Sequence, residues 1–116
     1  MPNSAQIYID HQVAELEGVN FELLNSEDKL LPTAQKVAEQ LNLRVVKSFI
    51  HRFDPHGLSL MLVLSQSHLA IHTWPEHGYM HVDIVTCSAN MASSKFAEVL
   101  KKYFSPTKIT CRKIEY

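Results

Sequence analysis

The chain has 116 residues, 46% of them hydrophobic and 20% charged, with a net charge of −1. That length closes one hydrophobic core, residues 1–116 as a single domain, and leaves too little apolar surface for a second. The balanced charge offers no footprint for nucleic acid or an acidic lipid surface, and no apolar run is long enough to span a membrane.

In chain order, residues 11–16 (HQVAEL) alternate as a short strand, and Gly18 follows as a turn. From Ser26 to Leu41 the apolar Leu30, Ala34, Val37, Ala38 and Leu41 keep helical spacing, with Glu27 and Asp28 in the first turn. Pro32 is tolerated only near that end. Residues 44–53 are rich in β-branched and aromatic types and read as a strand, and Asp54–Gly57 as a turn. Further strands are expected at 58–65, 68–74 and 79–87, with Pro75–Gly78 between the last two. Asn90 is placed to cap a helix whose apolar face is Phe96, Val99, Leu100 and Tyr103. Residues 107–114 close the chain as an edge strand. The order βαβββαβ predicts an α+β domain, a two-layer sandwich with both helices on one face of a mainly antiparallel sheet.

Strand parity divides the side chains between two faces. Leu58, Leu60, Leu62, Leu64, Leu69, Ile71, Met80, Val82 and Ile84 fall on an aliphatic face suited to the helices. Ser59, Met61, Val63, His68, His72, Trp74, His81, Asp83, Val85 and Cys87 fall on the other. That second face is too apolar to be left wet, which predicts a homodimer with polar chemistry near its interface. No N-terminal segment reads as an export signal, so the cytoplasm is the expected compartment, and Cys87 and Cys111 read as free thiols.

The stretch 49–87 is the most specific part of the chain. It contains His51-Arg52-Phe53, Pro55, Gly57, Ser59, then Ser67-His68, Ile71 to Glu76, Gly78-Tyr79, Val82-Asp83 and Thr86-Cys87. In these residues and spacings it resembles the short prokaryotic form of the S-adenosylmethionine decarboxylase proenzyme. Amino-acid decarboxylation needs an electron sink on the amine, usually a Schiff base to an electrophilic carbonyl, and no side chain carries such a carbonyl. The resemblance implies that the chain makes one. The Ser67 hydroxyl would attack the carbonyl of Gln66, and β-elimination would cut the chain into residues 1–66 and 67–116, leaving Ser67 as a pyruvoyl group. By motif position His72 assists the elimination, Ser59 donates a hydrogen bond during processing, and Cys87 returns a proton to the substrate α-carbon. Phe53 would stack on adenine, and Glu76 would accept hydrogen bonds from the ribose.

Each residue also has a plainer reading: a solvated Ser67, a hydrogen-bonded His72, a buried Ser59 hydroxyl, a packed Cys87 or Phe53, a loop acid at Glu76. The motif as a whole outweighs these. Departures from the family pattern bear on substrate and processing. Gln66 stands where Glu is usual before the reactive serine, which raises the reading of a binding subunit stalled before cleavage. Glu17 replaces a Tyr and Asp54 a small polar residue, and added carboxylates suit a distal amine or guanidinium. Phe53 and Glu76, retained from the pattern, keep S-adenosylmethionine the leading substrate, with arginine or ornithine the alternative on the same scaffold. A metal site of His68, His72 and Cys87 is disfavoured, because residues four apart on a strand are about 13 Å apart.

Overall fold

The protein is described from a computed structural model covering residues 8–87 and 91–116. Six strands form one sheet: β1 (Asp10–Glu17), β2 (Val45–Arg52), β3 (Leu58–Leu64), β4 (Ser67–Trp74), β5 (Tyr79–Thr86) and β6 (Lys108–Ile114). Their spatial order is β2-β3-β4-β5-β1-β6, and every neighbouring pair is antiparallel. Three helices accompany them: α1 (Phe21–Leu24), α2 (Glu27–Gln40) and α3 (Ser93–Phe104).

The expected two-layer α+β plan holds, with one addition. Helix α1 is a single turn, too short for periodicity to reveal, and it starts where the Asn20 side chain accepts from the Leu23 N–H at 3.0 Å. Helix α2 starts at Ser26, whose hydroxyl accepts from the Lys29 N–H at 3.2 Å, and Glu27 and Asp28 follow where the helix dipole favours them. Pro32 lies beyond the first turn, inside the helix. Asn90, expected as the cap of α3, lies outside the described residues; Ala92 holds the N-cap position with no side-chain bond. The buried face of α3 is Phe96, Val99, Leu100 and Phe104, so Phe104 takes the place expected for Tyr103, which only packs at the margin.

The core lies between the helices and one face of the sheet. Leu58, Leu60, Leu62, Leu64, Leu69, Ile71, Met80, Val82 and Ile84 are all buried there, beside Ala14 and Leu16 of β1. Strand alternation then sends the intervening side chains to the opposite face, where no described helix packs. Exposed Phe49, Met61 and Trp74 lie on that face, 54%, 41% and 42% accessible. No described helix is long and apolar enough to cross a membrane.

Two close approaches fix the end of the sheet that carries the β2–β3 turn. Gly57 has φ +108°, and a Cβ there would stand 3.0 Å from the Thr73 carbonyl, so this turn closes onto the end of β4. Buried Thr73 ties three elements together: its hydroxyl donates to the Leu24 carbonyl at 2.8 Å and accepts from the Leu58 N–H at 2.9 Å. Thr73→Val keeps the shape but leaves both groups without this partner. Urea unfolding should show a loss of about 1–3 kcal/mol, whereas an unchanged midpoint would remove Thr73 from the account of this end.

Candidate functional site

Chemistry-bearing residues gather at two ends of β4. The first end is the two-residue loop Ser65-Gln66 joining β3 to β4, where Leu64 pairs with Ser67. Strand β5 stops at Thr86, which leaves Cys87, expected as its last residue, in the bend beyond and against this loop. The Cys87 thiol donates to the Gln66 carbonyl at 3.0 Å, and the Cys87 N–H donates to the Ser67 hydroxyl oxygen at 3.2 Å. One residue thus holds both the carbonyl expected to be attacked and the hydroxyl expected to attack it. A cleft of about 240 Å³ opens beside them, bordered by Asn42, Arg44 and Ser65 as well.

The second end carries the other expected residues. Ser59 and His72 are register partners on β3 and β4, and Ser59 Oγ lies 2.7 Å from His72 Nδ1. Phe53 follows β2 with 47% of its surface exposed, its ring edge-on to His51 at 4.6 Å, so it is not a core residue. Its N–H donates to the Gly57 carbonyl at 2.9 Å, which holds it at the closed β2–β3 turn. Glu76 is exposed in the single 3-10 turn Pro75–His77 directly after Trp74. Asp54 is exposed at the tip of the β2–β3 turn, in a cis peptide with Pro55. Glu17 borders a separate cleft of about 540 Å³ with Trp74, His77, Tyr79 and Thr107.

Three sets of residues stay apart within one chain. Ser67 and His72 are five residues apart on one strand, about 17 Å, and side chains cannot close that gap. Glu17 and Asp54 lie on opposite sides of three intervening strands, about 19 Å across the sheet at the usual spacing, so they do not form one guanidinium clamp. His68 and Cys87 share an end of the sheet, but His72 does not join them, and the described residues contain no group of three metal-ligating side chains.

The sequence also gave no warning of two polar networks on the open face. His11 Nε2 lies 2.6 Å from Asp83 Oδ1, and its Nδ1 lies 2.8 Å from the Tyr116 hydroxyl. The Tyr79 hydroxyl donates to Glu15 at 2.7 Å, and Arg112 approaches the same carboxylate at 3.7 Å. Burial pushes the Tyr79 phenol up to about 12, reinforced by that hydrogen bond and by the charge of Glu15. Tyr79 is therefore a donor at neutral pH. Strand parity places all of these residues except Tyr116 on one face, but only the register of β1 against β5 and β6 shows which of them meet.

Comparison with known proteins identifies the family. A family model described as S-adenosylmethionine decarboxylase matches residues 10–115. The S-adenosylmethionine decarboxylase proenzyme of Clostridium botulinum (strain Langeland) is 36% identical over 104 residues, 90% of each chain. That of Sulfurihydrogenibium sp. is 35% identical over 99 residues, 85% of this chain and 74% of the relative. The crystal structure of the adenosylmethionine decarboxylase from Aquifex aeolicus superposes with a TM-score of 0.82 at 27% identity, covering 94% of this chain and 90% of that one. The chain belongs to the S-adenosylmethionine decarboxylase family.

Proposed function

We propose that this protein is the self-cleaving precursor of a pyruvoyl-dependent decarboxylase acting on S-adenosylmethionine. The observation that carries the reading is the double contact of Cys87 with the Gln66 carbonyl and the Ser67 hydroxyl. When Ser67 Oγ adds to the Gln66 carbonyl carbon, negative charge develops on the oxygen that the thiol already faces. A donor in place before the charge forms lowers the barrier without reorganisation. Collapse breaks the carbon–nitrogen bond and leaves an ester between Gln66 and the Ser67 oxygen. Removal of the Ser67 α-proton then expels that oxygen with Gln66 as a carboxylate, and water releases the nitrogen as ammonia. The pyruvoyl group so formed at residue 67 supplies the electron sink that decarboxylation needs. Cys87, at the same place, is positioned to return a proton to the substrate once carbon dioxide has left. Gln66 does not prevent this, because the attacked group is its backbone carbonyl.

His72, to which the motif assigns the elimination, is absent from this end of the protomer, and a second copy would supply it. A two-fold axis crossing the strands near Leu69–Ala70 would lay the open faces of two sheets together and exchange their ends. The partner's His72 and the partner's Ser59 would then lie at the end of the sheet that carries Ser67 and Cys87. Phe53, Met61 and Trp74, exposed on one chain, would be covered in the same step. Phe53 and Glu76 travel with Ser59 and His72 at one end, where an aromatic face and a carboxylate suit a nucleoside.

Intact-mass measurement should find chains of residues 1–66 and 67–116 in the wild type and one full-length chain in Ser67→Ala. A single full-length mass in an active wild-type preparation contradicts the mechanism. Cys87→Ser retains a donor for the acyl shift, so it should still cleave itself yet turn over slowly; unchanged turnover takes Cys87 out of the catalytic step. Carbon dioxide release, compared at equal concentrations of S-adenosylmethionine, arginine and ornithine, should come from the first. Phe53→Leu should lower kcat/KM about tenfold through lost stacking, and more than Asp54→Asn does. Release from arginine or ornithine alone would replace the substrate.

A further inference from the structure

Self-cleavage between Gln66 and Ser67 creates a charge that the intact chain does not carry. The acyl carbon of Gln66 departs as a carboxylate, and its two oxygens are the former Gln66 carbonyl oxygen and the former Ser67 hydroxyl oxygen. Both already rest on Cys87, one against Sγ at 3.0 Å and the other against N at 3.2 Å. Left there, the carboxylate would occupy the thiol that has to deliver a proton. It would also confront the carboxylate of an incoming amino-acid substrate in a cleft of only about 240 Å³, where like charges repel. The new terminus therefore has to leave Cys87.

The surrounding structure limits where it can go. Val45 pairs with Leu64 and the Ser65 N–H is held by the Arg44 carbonyl, so the chain stays anchored up to Ser65 after the cut and Gln66 is released to swing. Among the described residues, the cleft that borders them contains one cationic residue, Arg44, at the entry to β2. The Ser65 N–H donates to the Arg44 carbonyl at 3.1 Å, which pins the Arg44 backbone one residue from the new chain end. Arg44 is exposed, and the ion pairs found among the described residues use Arg52 and Arg112 but not Arg44. A guanidinium matches a carboxylate with two parallel N–H donors, better than any other side chain. The substrate carboxylate is the poorer match. Gripping the charge that is about to be lost would stabilise the ground state and slow decarboxylation.

We infer that Arg44 is the anchor for the Gln66 carboxylate created by self-cleavage, a site that draws this carboxylate off Cys87 and clears the thiol for substrate. The inference rests on the cleavage proposed above, and the two can fail separately. Carboxypeptidase Y, added to the purified cleaved protein, reads the accessibility of Gln66 by mass. Wild-type Gln66 should be held, Arg44→Gln should be trimmed roughly tenfold faster, and Arg44→Lys should fall between, because an ammonium keeps the charge but loses the fork. Equal trimming of cleaved wild type and Arg44→Gln overturns the role of Arg44 while leaving cleavage intact. A wild-type chain that never cleaves has no Gln66 carboxylate, and overturns both the anchor and the proposed mechanism.

Discussion

Among the described residues, helices cover the sheet on one side only, and the proposed chemistry follows from that constraint. A strand alternates its side chains with a period of two, so placing Leu58, Leu60, Leu62 and Leu64 against the helices forces Ser59, Met61 and Val63 outward. The same parity turns His72 and Trp74 of β4, and His81 and Asp83 of β5, to the open side. A slip of one residue would reverse both sets at once, which is why the core and the reactive face cannot be specified separately. The open face is neither polar enough to stay wet nor apolar enough to be a core. It has the composition of a surface that a second sheet covers while some chemistry stays inside.

The ends of β4 then divide the labour. At the β3–β4 loop, Cys87 holds the scissile carbonyl and the attacking oxygen with two hydrogen bonds. At the opposite end, the closed turn at Gly57 and the buried hydroxyl of Thr73 hold Phe53, Ser59, His72 and Glu76 in one region. The strand between them is rigid, and its length exceeds the reach of any side chain. A protomer that holds the nucleophile apart from the base does not complete the elimination alone. Under the proposed mechanism assembly is a condition for processing, and the oxygen atoms that start the reaction on Cys87 would end it as a carboxylate to be housed elsewhere.

Much of this was legible in the sequence. The succession of strands along the chain, the aliphatic face and the motif around Ser67 follow from period-two alternation and from spacings within 49–87. Helix α1 was not legible, because four residues are too few for a helical period and only the capping Asn20 marks it. The substitution of Phe104 for Tyr103 in the core arises at the last turn of α3, where a one-residue rotation is beyond what an apolar pattern resolves. The separation of Ser67 from His72 follows from strand spacing, but the motif sets the two close in sequence and does not display it. Arg44 and the pairs His11–Asp83 and Glu15–Tyr79 depend on register between strands distant in sequence, which no local pattern encodes.

The central claim is that one catalytic centre is built from both ends of β4, each end from a different copy of the chain. Mixed dimers test it most directly: Ser67→Ala and His72→Ala chains, each unable to process alone, are co-expressed with different tags and purified through both. In one site of each mixed dimer, intact Ser67 meets the partner's His72, and the account predicts that the His72→Ala chain is cleaved and decarboxylation returns. A mixed dimer in which that chain stays uncut would contradict it.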